Sequence, residues 1–148
     1  MTSQQTQAEQ NKAVVRRFVE AGNRVNLSAY DELLADNFVD HSAPPGFPND
    51  REGQKQFAAM LNAAFPEGSQ TADDLISEND KVVMRWTARG THLGEFMGIP
   101  ATGRQVTVTG IDIFRVTGTQ IVEHWSEWDA LGMMQQLGAV PAPGQGGT

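Results

Sequence analysis

The chain has 148 residues and a formal charge of −7, with 11 Lys and Arg against 18 Asp and Glu. That balance, with no basic stripe and no glycine-rich phosphate loop, argues against nucleic-acid and nucleotide partners, and the lack of cysteine removes disulfides, thiol nucleophiles and thiolate metal sites. A hydrophobic content of 39% with 20% charged residues suits one soluble domain with a real core. No apolar run approaches the roughly 20 residues of a membrane span, and the opening MTSQQTQAEQNK lacks a signal peptide's apolar segment, so no membrane partner and a cytoplasmic location are expected.

In chain order, residues 1–8 are polar and expected to be disordered. From Glu9 to Gly22, Val14, Val15, Phe18 and Val19 form one apolar stripe at helical spacing. Ser28 can cap a second helix, near 28–35, that turns Tyr30, Leu33 and Leu34 inward. Phe38 to Ser42 reads as a short strand, ended by the Ala43-Pro44-Pro45-Gly46 turn. Asp50 can cap a third helix, near 51–65, whose buried face is Phe57, Met60, Leu61, Ala64 and Phe65.

After Gly68 the period changes to two. Strands are expected at Gln70–Glu78, Lys81–Thr91 and Arg104–Val116, and a last one follows the Thr117-Gly118-Thr119 turn. Between the second and third of these lies a glycine-punctuated loop, His92 to Gly103. Its apolar Phe96, Met97 and Ile99 suggest a flap over a pocket, or else a satellite cluster pinning a long connection. Asp129 is a good N-cap for a final helix that Gly138 can close. AVPAPGQGGT, residues 139–148, has a flexible tail's composition. Helices first and an antiparallel meander after predict a single α+β domain over 9–138, with helices covering one face of a curved sheet.

Ile121 to Gly138, IVEHWSEWDALGMMQQLG, concentrates carboxylates, a histidine and tryptophans. A carboxylate against an apolar wall is where proton transfer is expected, which makes Asp129 a candidate base as well as a cap. Asp112 shares a strand face with Val106, Val108 and Phe114. If that face is the inner one, desolvation favours a neutral acid able to donate a hydrogen bond to an enolate. A two-residue turn before the last strand would put Glu123, Trp125, Glu127 and Asp129 on Asp112's side. A three-residue turn would put Val122, His124, Ser126 and Trp128 there. His41 closes the short strand, where an imidazole can serve as acid or base; Asp40 alternates to the opposite face. His92 and His124 are further candidates, but three scattered histidines make a metal site improbable. Trp86, Trp125 and Trp128 would serve equally a core or a hydrophobic pocket.

Three stretches resemble the SnoaL-like polyketide cyclases, or ester cyclases, of the ketosteroid-isomerase-like superfamily. They are Phe38-Val39-Asp40-His41, the loop GTHLGEFMGIPATGR from Gly90 to Arg104, and GIDIFRVTGTQIVEHWSEWDALGMMQQLG from Gly110 to Gly138. The resemblance implies a cone-shaped fold of three N-terminal helices on a strongly curved antiparallel sheet, a deep apolar pocket, and a homodimer through the sheet's outer face. It also implies intramolecular aldol ring closure by carboxylate acid–base chemistry, with no metal or organic cofactor. By motif position the proton-moving Asp falls on Asp129 and the oxyanion-binding Asp on Asp112. The ketosteroid isomerase base falls near His41, a departure that makes steroid isomerisation doubtful. The expected ligand is apolar or polycyclic, held by Trp86, His92, Phe96, Ile99, Trp125 and Glu127. The rival expectations are an epoxide hydrolase or isomerase on the same scaffold, and a non-catalytic small-molecule-binding module.

Overall fold

The structure, a computed structural model, describes residues 3–141 and Gly144. Its order is α1 (Ser3–Asn23), a short 3-10 turn (Leu27–Ala29), α2 (Tyr30–Leu33), β1 (Leu34–Asp40), α3 (Arg51–Ala64), β2 (Ser69–Glu78), β3 (Lys81–Thr91), β4 (Gln105–Thr117), β5 (Gln120–Trp128) and α4 (Ala130–Leu137). The helices pack on one open, curved sheet of strand order β1-β5-β4-β3-β2. Four strands form the expected antiparallel meander, but β1 joins β5 in parallel, with Leu34 opposite Ile121 and Asp40 opposite His124. The sheet is therefore mixed rather than purely antiparallel.

The helical stripe of α1 buries Val14, Val15 and Val19 against the sheet. This helix begins at Ser3, within the stretch expected to be disordered, and Met1 and Thr2 lie outside the described residues. Most of the expected tail over 139–148 also lies outside them.

The second helix is shorter than its sequence suggests. Ser28 bonds the Asn26 side chain instead of capping. Leu34, expected on that helix, opens β1 and is fully buried beside β5. Strand pairing outweighs the weak local preference of a four-residue helix here. On α3 the Asp50 carboxylate does accept the Gly53 N–H at 2.9 Å. Phe57, Met60 and Leu61 on its apolar face are only partly buried, because Phe57 and Leu61 border a cavity instead of solid core.

The β4–β5 hairpin decides which side chains share the inner face. Thr117 pairs with Gln120 and Val116 with Ile121, so the turn has two residues, Gly118 and Thr119. Arg115 then pairs with Glu123, which leaves Val122 as an extra residue, a β-bulge. The bulge reverses the alternation that the turn alone would set. Beyond it His124, Ser126 and Trp128 stand opposite Phe114, Asp112 and Gly110. Both expected turn geometries are thus partly right: the loop of one, and the facing residues of the other.

Candidate active site

Four strands contribute to one buried polar chain. On β4, Val106, Val108, Asp112 and Phe114 are all buried, so the even-numbered face is the inner one. On β3 the inner face is Val82, Met84, Trp86 and Ala88. The Trp86 indole lies flat across Gly110, where an added Cβ would come within 2.4 Å of the ring. Glycine at that point lets Trp86 donate its Nε1–H to Asp112 Oδ1 at 3.0 Å. From β5, His124 places Nε2 3.0 Å from Asp112 Oδ2. From β1, Asp40 Oδ1 lies 3.2 Å from His124 Nδ1. Asp40 is itself held by the Gln54 side-chain amide of α3 at 2.7 Å and by the Ser42 N–H at 2.9 Å.

The imidazole is therefore clamped between two carboxylates. Burial alone would lower the pKa of His124, but the hydrogen bonds and charges of Asp112 and Asp40 outweigh it and raise the value to about 9. At neutral pH the ring is an imidazolium, and both its N–H groups donate. Burial pushes Asp40 up, but its bonds to His124, Ser42 and Gln54 prevail and hold it below the usual carboxylate value. Asp112 accepts N–H bonds on both oxygens, from Trp86 and from His124. That arrangement matches an acceptor carboxylate rather than the neutral donor expected from its apolar strand face. Phe114 stacks on the His124 ring at 4.9 Å and closes it off on one side.

Asp40, Asp112, His124 and Gln54 line part of a cavity of about 280 Å³. Its other walls are mostly apolar, with Phe18 and Val19 from α1, Phe57 and Leu61 from α3, Val106 and Val108 from β4, and Met133 from α4. Trp86 and Trp128 border it as well. Among the described residues, no group of three or more His, Asp and Glu is arranged to hold a metal ion.

Of the sequence candidates, this site gathers Asp112, His124, Trp86, Trp128 and Phe96. Phe96 is 1% exposed, borders the cavity and packs edge-on against Phe65. Its backbone pairs with Ile99 in a small bridge, and Ile99 packs on the core without reaching the cavity. The loop is also pinned, because Leu93 and Gly94 N–H groups both bond the Ala64 carbonyl at the end of α3. The apolar residues of the loop thus form the satellite cluster that pins it, with Phe96 reaching the cavity wall. His92 is buried without lining the cavity, with Nδ1 accepting the Thr102 N–H.

Asp129, His41, Trp125 and Glu127 stand apart from the cavity. Asp129 is exposed and caps α4, its Oδ1 accepting the Gly132 N–H at 2.8 Å. His41 lies on the opposite side of β1, stacked on Trp125 at 4.8 Å and 2.7 Å from Glu123. Glu127 is exposed. The bulge at Val122 is the physical reason for Trp125 and Glu127, since it turns the odd-numbered residues of β5 outward. For β1 the sequence did hold a signal. Phe38 is an obvious core residue, and strict alternation then puts Asp40, not His41, on the inner face.

The chain belongs to the SnoaL-like polyketide cyclase family, whose family model matches residues 12–137. Among characterised relatives it is similar to the aklanonic acid methyl ester cyclase DauD of Streptomyces sp. (strain C5), 33% identical over 84% of this chain and 80% of that protein. Solved structures of the same shape include TsrD from Streptomyces laurentii, with a TM-score of 0.82 and 32% identity over 89% of this chain and 97% of that one. IdmH from Streptomyces antibioticus superposes with a TM-score of 0.77 at 38% identity, over 86% and 98% of the two chains.

Proposed function

We propose that the chain catalyses a cofactor-independent intramolecular aldol cyclisation of an apolar, polycyclic keto ester, with Asp112 as the acid–base group. The observation that supports this is a carboxylate facing an apolar cavity with a charged imidazole fixed behind it. Asp112 removes a proton from the carbon alpha to one carbonyl. The resulting enolate carbon attacks a second carbonyl of the same molecule, forming the carbon–carbon bond. The alkoxide left on that oxygen takes the proton back from Asp112. No electrons or atoms are exchanged with a co-reactant, so one carboxyl closes the proton balance.

His124 acts as a positioning residue. Both its N–H groups are engaged by carboxylates, so it fixes Asp112 and balances its charge, with no N–H left to bond substrate. Asp40 and Gln54 fix His124 in turn. The apolar walls fold the substrate and exclude water from the enolate. Asp129 takes no part in this scheme, because its carboxylate is exposed and bonded to the helix it caps.

The test uses aklanonic acid methyl ester, the compound in the relatives' name, as first substrate. Asp112→Asn should lower turnover about 10²–10⁴-fold, the usual worth of acid–base catalysis, while apolar ligands still bind. Undiminished turnover by this variant would overturn the mechanism. If the parent converts no keto ester yet binds polycyclic ketones tightly, the chain is a binding module.

We further propose a homodimer through the outer sheet face. Ile76, Val83, Ile113 and Trp125 lie opposite one another on four successive strands and form one apolar row. Ile76 is 65% exposed, and nearby Ile111 is 50% exposed. A continuous apolar stripe of this kind on a sheet face is a common mark of association.

A further inference from the structure

Tyr30 holds the one buried phenol of the molecule, since the sequence contains a single tyrosine. It is 4% exposed and borders the cavity, with its ring packed on Phe18 at 4.9 Å. Phe18 in turn packs edge-on against Phe114, which stacks on His124. Tyr30 therefore stands two aromatic rings away from the charged imidazole, towards the α1 side of the cavity. Phenylalanine would fill the same volume without the cost of burying an oxygen.

Buried tyrosine hydroxyls usually find a partner; among the described residues no hydrogen bond is made by this one, and its oxygen is not one of the fully enclosed unpartnered atoms, as befits a group on the cavity wall. It sits against Gly22 of α1, also a cavity residue, where an added Cβ would come within 2.9 Å of the oxygen. Only a glycine leaves that face of the hydroxyl uncrowded. The next residue, Asn23, clasps the start of β2 through two 2.8 Å bonds with the Gln70 backbone, which fixes this corner. The chain thus carries a polar atom in an apolar wall, an open approach to it, and a rigid frame around it.

We propose that the Tyr30 hydroxyl is a specificity-determining donor that binds a carbonyl or hydroxyl oxygen on the part of the ligand remote from Asp112. This inference rests on the reading of the cavity as a polycyclic-ketone site. Burial raises the phenol's pKa to about 12, so it stays a neutral donor throughout the working range. A donor on the α1 side of a mostly apolar cavity, apart from Asp112, fixes the direction of a flat ligand as well as its depth.

Anthraquinone and anthracene share an outline and differ in their carbonyl oxygens. Their binding is followed by quenching of tryptophan fluorescence in the parent, Tyr30→Phe, Gly22→Ala and the double variant. The expected result is a loss of anthraquinone affinity of about 3- to 10-fold in Tyr30→Phe, the worth of one neutral hydrogen bond, with anthracene unaffected. Gly22→Ala, which favours the helix but crowds the oxygen, should weaken anthraquinone in the parent background and add nothing in Tyr30→Phe. Should Tyr30→Phe bind both compounds as the parent does, the proposal is rejected while the Asp112 mechanism stands. Should the parent bind neither compound, the reading of the cavity fails and the Tyr30 proposal falls with it. Loss of turnover in Asp112→Asn bears only on the chemistry.

Discussion

Asp129 and Asp112 carry the same functional group to opposite fates. One lies at a helix N-terminus in water, where its oxygen replaces a missing backbone partner; the other lies in a cavity wall, held by two N–H donors. Asp129→Asn is expected to leave stability and turnover unchanged, because Asn caps about as well as Asp. Asp129→Ala should cost about 1 kcal/mol in denaturant unfolding, again with full turnover. A large loss of activity in Asp129→Asn would return the proton-moving role to that residue. His124 makes a second prediction at this scale. Its folded pKa of about 9 lies above the ordinary 6.5, so its stabilising share is complete below about pH 6.5. That share disappears as pH rises through about 9, and amounts to something on the order of 3 kcal/mol. Asp40, shifted the other way, contributes above the ordinary carboxylate range and loses its share as pH falls through its lowered value. Melting temperature should therefore decline between about pH 6.5 and 9 in the parent and not in His124→Gln. The same alkaline decline in both proteins would assign it to other groups.

At the scale of elements, long periodic segments were legible from sequence. The stripes of α1 and α3, the alternation of β3 and β4, and the caps Asp50, Asp129 and Gly138 all stand in the structure where their chemistry predicts. What could not be read was a single extra residue. Val122 has the β-branched side chain of an ordinary strand residue, and nothing local marks it as unpaired; the β1–β5 register is irregular over the same stretch. That one residue exchanges Trp125 and Glu127 for His124 and Ser126 on the inner face. The parallel docking of β1 was hidden for a like reason, as only tertiary pairing outweighs the helical reading of Leu34. The loop from Thr91 to Gln105 offers a test of its double role. Phe96→Ala should lose about 3–5 kcal/mol of stability, as truncation of a buried phenylalanine does. It should also speed ligand dissociation in stopped-flow measurements. Unchanged dissociation would leave Phe96 a core residue alone.

For the molecule as a whole, the two faces of the sheet divide the work. The inner face holds the cavity and its charged chain, and the outer face carries the Ile76–Val83–Ile113–Trp125 row. Sedimentation at micromolar concentration should give twice the 16.1 kDa chain mass, and Ile111→Lys with Ile76→Lys should return the monomer. A parent sedimenting at the single-chain mass would reject the dimer.

The parallel seat of β1 beside β5 also bears on when the site is put together. Asp40 and His124 are 84 residues apart in sequence, so their contact closes a loop spanning most of the chain. Contacts of such long range are costly in entropy and form late unless nearer contacts have already drawn their ends together. The β2–β3–β4–β5 meander is able to assemble from neighbours and offer β5 as a free edge. Long range would then make β1 the costliest strand to dock. The ion pair at the heart of the site thus joins two distant parts of the chain, and a chain still emerging from the ribosome cannot complete it until β5 has been made.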